Sequence, residues 1–349
     1  MESKNTDFSY LLKKARKKHE LTKKEIMELL KAEGDDFDRL CNAADQVREE
    51  YVGDKVYLRG IIEFSNHCRQ NCYYCGLRKD NQELKRYKLT PDEIIEMAVK
   101  ANQLGYKTIV LQSGEDEYPT DDISKIISQI KEKTDAAITL CLGERSFAEY
   151  KEWYDIGADR YLLKHETVDP KLYYKLHPEM SYNNRIESLF ELKKIGYQVG
   201  SGNMVGLPGQ TLSTLAEDID LFKKLDLDMV GIGPFVPHPQ TPLAESKAGT
   251  LNMTLKTLAV TRLLLPLAHL PATTALGTID DMGRQKALMA GANVVMPNVT
   301  RGEYREHYEI YPDKICVNEE PDDCRQCIGG IITSLGRIPA NEHGHSLKK

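Results

Sequence analysis

The sequence holds no apolar run approaching the ~20 residues that a membrane-spanning helix needs. Its longest apolar stretches are about seven residues and break at Pro or Gly. It has no large excess of one charge: 47 basic and 53 acidic residues give a net charge of -6. So mild an acidity gives no general pull toward nucleic acid or an anionic membrane. No repeat or low-complexity segment stands out. The opening residues, Met1 to Asp7, lack an apolar signal region, so the chain is expected in the cytoplasm. Apolar residues at 41% and charged residues at 29% exclude a disordered or collagen-like chain. The 349 residues allow roughly two average domains or one large α/β barrel, with ample core.

What is present is cysteine, at eight positions. A disulfide scaffold is not expected in a large chain without a signal peptide. Six of the eight form two tight groups, Cys68, Cys72 and Cys75, then Cys316, Cys324 and Cys327. Clustered thiols in a reducing compartment point to metal or redox chemistry.

Residues 1–52 are rich in Lys, Glu and Leu at helical spacing, and Thr22 three residues before Glu25 is a capping-box signal. From residue 55 short apolar runs alternate with amphipathic stretches. Strands are expected at 56–63, 108–112, 137–142, 160–163, 198–204, 229–232, 271–276 and 293–296. Helices are expected at 91–104, 121–131, 146–156, 183–195, 212–225, 254–265 and 284–290. Several stop at a glycine: Gly105, Gly157, Gly196 and Gly291. Eight βα units closing on themselves make a (β/α)8 barrel of the TIM type; an open doubly wound sheet is the alternative. The expected division is an N-terminal helical extension (1–52), the barrel (53–300) and a C-terminal cysteine-bearing extension (301–349). The last part would hold a short helix near 328–335 and end in a loose tail from 341.

The first cysteine group has the spacing C-x3-C-x2-C, with Tyr74 before the last Cys, directly after the first barrel strand. Barrel enzymes carry their active sites at that end of the strands. Three thiolates on one loop can hold three irons of a [4Fe–4S] cube and leave the fourth open. A zinc site, with His67 as a possible ligand, or three reduced thiols are the bland readings.

This motif resembles the signature of the radical S-adenosylmethionine (SAM) superfamily. The resemblance implies that the open iron chelates SAM. One-electron reduction then splits it into methionine and a 5′-deoxyadenosyl radical. Gln112-Ser113-Gly114-Glu115-Asp116 resembles the motif that binds the SAM amino group. Glu166 can accept from ribose hydroxyls, and Arg185 can pair with the SAM carboxylate. Met204 and Met229 would lie against adenine, or are simply core.

Residues 62–66, 111–116, 230–235 and 271–275 look closely like the HydE family of radical SAM [FeFe]-hydrogenase maturases, near biotin synthase and methylornithine synthase. The resemblance runs from about residue 25 to about 335. It implies Cys68, Cys72 and Cys75 as cluster ligands, beside Tyr74. It places Ser113, Glu166, Arg185, Met229 and Tyr308 around SAM. Thr139, Lys164, Thr273, Thr274 and Tyr311 would line the cavity that holds an anionic substrate. The family pattern has Arg where this chain has Lys164, which keeps the charge but loses the planar fork. Cys141 is expected as a buried small hydrophobe facing the same cavity.

Cys316, Cys324 and Cys327 are implied to hold an auxiliary [2Fe–2S] or [4Fe–4S] cluster, with zinc or free thiols as alternatives. The implied activity is on a small iron–cysteine–carbonyl–cyanide precursor, in assembly of the hydrogenase diiron subcluster. Implied partners are a reductant such as a ferredoxin or flavodoxin, and transiently other hydrogenase maturases, without nucleic acid or membrane. Two other readings stand beside this one: a radical SAM enzyme on a small amino-acid or sulfur-containing substrate, and a non-catalytic iron–sulfur scaffold.

Overall fold

The computed structural model describes residues 7–348. Helices α1 (Phe8–Lys18), α2 (Lys23–Leu30) and α3 (Asp35–Val52) precede the first strand. Strands β1 (Lys55–Leu58) and β2 (Gly60–Ser65) are one stave interrupted at Arg59. Next come α4 (Pro91–Gln103), β3 (Thr108–Ser113), α5 (Thr120–Lys133), β4 (Ala137–Cys141), α6 (Phe147–Ile156) and β5 (Arg160–Leu162). Then follow α7 (Pro170–Leu176), α8 (Tyr182–Ile195), β6 (Gln198–Val205), α9 (Leu212–Lys224), β7 (Met229–Pro234) and α10 (Leu251–Leu264). The chain finishes with α11 (Thr274–Ile279), α12 (Gly283–Met289), β8 (Val294–Val295), α13 (Gly302–Arg305), α14 (Pro321–Ser334) and β9 (Ile338–Ala340).

Local chemistry sets where these helices begin. Thr22, Thr90 and Ser146 each cap a helix and pair reciprocally with Glu25, Glu93 and Glu149. Pro91 occupies the first turn of α4, where its missing N–H costs nothing. The core is one apolar cluster running from Leu11 to Ile332. Helix α3 packs on α10 and α2 on α9, so the N-terminal helices brace one side of the barrel.

Strands β2 to β7 form a parallel six-stranded sheet in sequence order, and β8, β1 and β9 form a second parallel sheet. Single bridges close the ring: Met229 with His269, Pro271 with Val294, and Ile61 with Asn298. The result is an α/β barrel of the TIM type. Its seventh stave departs from expectation. Residues 271–276 are not a strand; the stave is bridge-length, and the chain turns at once into α11. Pro271 has no N–H to donate to a ladder, which limits pairing there.

The tail also departs from expectation. Thr108 Oγ1 donates to the His343 carbonyl at 2.7 Å, and Arg160 Nη2 to the same oxygen at 2.9 Å. Arg59 Nη2 donates to the Gly344 carbonyl at 3.1 Å, and His269 Nε2 meets the His345 carbonyl at 3.0 Å. Thr108, Arg160 and His269 stand at the starts of staves and Arg59 just before β2, so residues 343–346 floor the barrel opposite its cysteine loop. The expected helix near 328–335 is longer, beginning at Pro321. Strand β9 pairs with β1, which ties the extension into the barrel wall.

Candidate radical SAM site

The cysteine loop leaves β2 at the C-terminal mouth. Buried Asn66 anchors it: its Nδ2 donates to the carbonyls of Lys85 (2.9 Å) and His307 (2.6 Å), and its Oδ1 accepts from Tyr87 N at 2.7 Å. Arg86 holds four loop carbonyls, those of Asn66, Leu77, Arg78 and Asn81. Gly114 lets the β3 end pass against the loop, because a Cβ there would collide with the His67 carbonyl. Arg69 N then donates to the Glu115 carbonyl at 2.8 Å.

Cys68, Cys72 and Cys75 are free and partly exposed. Burial raises all three thiol pKa values, Cys75 to about 12, and the neighbouring thiols push Cys72 and Cys75 further up. Protons held this way leave when a metal binds the sulfurs. Among the described residues, no three His, Cys, Asp or Glu side chains converge on one point as a closed cage. A cube asks for no such convergence, since each cysteine takes a different iron.

Beside the loop, Tyr74 Oη lies 2.7 Å from His177 Nε2. Burial first, then the nearby Cys72 and Glu166, holds the Tyr74 pKa well above its usual value, and burial lowers His177 to about 4. Met204 packs into the same apolar group as Tyr74 and Phe235. Glu166 sits at a left-handed φ of 65°. Its Oε2 is buried without a hydrogen bond, and Lys164 Nζ stands 3.0 Å away as an ion pair.

Arg185 is buried between two carboxylates. Its Nε is 2.7 Å from Glu144 Oε1, and its Nη2 is 3.6 Å from Glu115 Oε2. Burial alone would lower its pKa; Tyr173, Glu144 and Glu115 together raise it. Glu115 also accepts from Gln70 Nε2 at 2.6 Å and Arg69 Nη2 at 3.2 Å. An open cleft of about 650 Å³, lined by Arg69, Glu115, Glu144 and Met180, reaches this network. Met180 Sδ lies 3.9 Å from Cys72 Sγ.

A second group faces the mouth from β2, β3 and the 301–316 segment. Ser113 Oγ donates to the Gly114 carbonyl at 2.6 Å. Gln112 registers between Glu63 and Cys141. Tyr308 is buried among Glu63, Cys141 and Gln112, and half-buried Tyr311 lies near Glu63, Arg284 and Thr278. Burial raises the pKa of Cys141 to about 12. Thr273 Oγ1 is buried without a partner, and Thr274 Oγ1 accepts from Arg284 Nη2 at 3.3 Å.

Two expected site residues lie deeper in the barrel. Met229 opens β7 near the floor, with its Sδ 3.0 Å from Arg59 Nη1. Thr139 lines the same deep recess, its Oγ1 buried and unpartnered. Neither is beside the cysteine loop.

In the extension, the Cys316 and Cys324 thiols are near neighbours, and Arg284 Nη1 reaches Cys316 Sγ at 3.5 Å. Cys324 is buried and Cys327 exposed.

Four residues were not singled out from the sequence. Glu115 and Glu63 stood inside quoted motifs as mere neighbours. Glu144 and Arg284 carried no local signal at all. Glu63 is buried, ion-paired with Lys314 and bonded to Asn298 Nδ2 at 2.6 Å.

A family model described as the radical SAM superfamily matches residues 62–222. The [FeFe] hydrogenase maturase subunit HydE of Thermotoga maritima is 52% identical over 329 residues, covering 94% of each chain. The chain belongs to the HydE family of radical SAM enzymes. The 3-methylornithine synthase of Methanosarcina barkeri is 31% identical, with 83% of each chain covered. Among solved structures, a methylornithine synthase superposes with a TM-score of 0.82 at 28% identity, over 95% of this chain and 97% of that one. The maturase HydG superposes with a TM-score of 0.83, over 97% of this chain and 77% of that one. At 20% identity that likeness speaks to the fold alone. The family implies a [4Fe–4S] cluster and SAM. The donors fit: three free thiols at the mouth stand beside a buried guanidinium and a carboxylate oxygen lacking a hydrogen bond. No helix among the described residues is long and apolar enough to cross a membrane.

Proposed function

We propose that this chain reductively cleaves SAM and acts on a small iron–cysteine–carbonyl–cyanide precursor, in assembly of the diiron subcluster of [FeFe]-hydrogenase. The observation that carries the reading is the set Cys68, Cys72 and Cys75 at the barrel mouth beside Arg185 and Glu166. When bound, the cluster and SAM supply a 5′-deoxyadenosyl radical. The chain's own residues bind and orient. The three cysteines hold the cluster, and Arg185 steers the SAM carboxylate. Gln112 and Ser113 lie toward its amino group. Glu166 accepts from ribose, and Tyr74 and Met204 give an apolar flank.

Tyr308 borders SAM, and Tyr311, Thr273, Thr274 and Lys164 present donors toward an anionic substrate. Thr139 and Met229 line its deeper end. The buried walls exclude water, which a primary carbon radical requires. Cys316, Cys324 and Cys327 hold an auxiliary [2Fe–2S] or [4Fe–4S] cluster, supported by the Cys316–Cys324 contact. The reading includes a cytoplasmic setting, a low-potential ferredoxin or flavodoxin as reductant, and transient contact with other maturases.

The test is anaerobic reconstitution, then dithionite and SAM with the iron precursor. The expected result is 5′-deoxyadenosine or an adenosylated product, lost in Cys72→Ala. Turnover retained in that variant would overturn the assignment. SAM cleavage that leaves every iron complex unchanged would favour a small amino-acid substrate instead.

A further inference from the structure

Four polar side chains with no exposed surface meet between β6 and α9: His165, Ser201, Asn203 and Asp218. The site described above uses none of them. Asp218 stands on α9, and both its oxygens are engaged. Oδ1 accepts from Val168 N at 2.7 Å and lies 3.1 Å from His165 Nε2. Oδ2 accepts from Asn203 Nδ2 at 2.9 Å. On the other side of the imidazole, Ser201 Oγ accepts from His165 N at 3.2 Å and lies 3.1 Å from His165 Nδ1. The serine proton then serves Nδ1, which assigns the ring proton to Nε2, facing Asp218.

The residues so held bracket Glu166. Thr167 N donates to the His165 carbonyl at 2.8 Å, so Glu166 is the middle of a three-residue turn. Its φ of 65° is a conformation that few residues with a Cβ adopt. Such a turn persists only where its surroundings hold it. Here one carboxylate oxygen grips the chain on both sides, at His165 and at Val168. The other oxygen grips Asn203, which bridges to Glu166 across the neighbouring stave. Glu166 N donates to the Gly202 carbonyl at 3.0 Å, and Met204 N to the Glu166 carbonyl at 3.1 Å.

We infer that Asp218, acting through His165 and Val168, is a positioning residue that holds the Glu166 carboxylate in its ribose-accepting place. It touches no ligand itself. The inference rests on the function proposed above, in which Glu166 accepts from the ribose of SAM. Without the Asp218 carboxylate, three buried donors lose their acceptor: the His165 ring, Val168 N and Asn203 Nδ2. Buried donors left unmatched drive the chain to rearrange. The turn would relax toward an ordinary φ and carry the Glu166 side chain away. An acceptor is needed here more than a charge. Asp218→Asn keeps an oxygen for His165 and Val168, and its amide can meet the Asn203 oxygen once that side chain turns over. Asn203 Oδ1 has no hydrogen bond to lose.

The experiment measures SAM affinity of the reconstituted protein by calorimetry, in the parent and in a Glu166→Gln background. Asp218→Ala should weaken binding by about tenfold in the parent and add little to Glu166→Gln. Asp218→Asn should bind within about twofold of the parent. A purely structural role predicts the opposite pattern, a loss of the same factor in both backgrounds. That pattern, or a folded Asp218→Ala that binds SAM as the parent does, overturns the inference. If Asp218→Ala does not fold, His165→Phe makes the same comparison. It removes both ring nitrogens and keeps the edge-on packing against Phe222, whose ring centroid is 5.5 Å away. If Glu166→Gln alone binds SAM as the parent does, the ribose role of Glu166 fails and the inference falls with it. The assignment of the cysteine loop, judged by iron content and visible absorbance, would stand apart from that result.

Discussion

Lys164 Nζ and Glu166 Oε2 face one another at 3.0 Å across a single intervening residue. The expected substrate cation and the expected ribose acceptor thus lean on each other. Filling one subsite is therefore felt at the other. A ribose hydroxyl that donates to Glu166 would loosen its hold on Lys164 and free the ammonium for an anionic substrate.

Glu166→Gln keeps the shape and removes the charge. A hydrogen bond to a charged acceptor contributes about 1.5 to 3 kcal/mol. SAM affinity by calorimetry should fall by about tenfold or more, since ~1.4 kcal/mol is a factor of ten. The same variant should release Lys164 and leave the visible spectrum of the reconstituted protein unchanged.

Arg185→Met strands Glu115 and Glu144 without their shared partner. Breaking a buried ion pair this way costs about 3 to 5 kcal/mol. The pH dependence has a definite sign. Burial, aided by Glu115, raises the Glu144 pKa, and Arg185 opposes the rise. Without Arg185 the pKa climbs further. A carboxyl with a raised folded pKa contributes stability in acid and loses it as pH rises through that value. Urea melts should therefore show the largest deficit near neutrality, narrowing on acidification toward about pH 5.

Cys316→Ser/Cys324→Ser removes the neighbouring thiols of the extension. Iron content and visible absorbance of the reconstituted protein should drop, while dithionite-driven 5′-deoxyadenosine formation persists. Loss of both together would place the pair within the machinery of SAM cleavage.

Gly344→Ala should destabilise the barrel floor. Gly344 has a φ of +59°, and a Cβ there would lie 2.7 Å from the Tyr57 ring. The backbone strain alone is about 1 to 2 kcal/mol, so the thermal midpoint should fall by roughly 1 to 3 °C.

The barrel was legible because its signals are local. The capping box at Thr22, Pro91 and the short apolar runs of the strands need no knowledge of distant residues. The cysteine loop was legible for the same reason, three ligands falling within eight positions of chain. The seventh stave misled because Pro-Ala-Thr-Thr-Ala reads as an apolar run, while bridge-length pairing and an early helix start decide its form. Glu144 and Arg284 were invisible because their meaning lies in partners far along the chain, Arg185 and Cys316. Met229 carried two readings, against adenine or simply core, and only the fold shows that it opens β7 low in the barrel. The tail read as loose because its binding groups are backbone carbonyls, which every sequence has, and polar side chains such as Ser346 whose partners lie far along the chain.

That tail makes one covalent segment a strap across the whole barrel. At the mouth Lys314 is ion-paired with Glu63, and at the floor the Gly344 carbonyl accepts from Arg59. Between them α14 and β9 run down the wall. Strand β9, paired with β1 between those ends, keeps the crossing fixed when either end lets go. Amides of the floor and of the mouth should then exchange with deuterium independently, each through its own local opening.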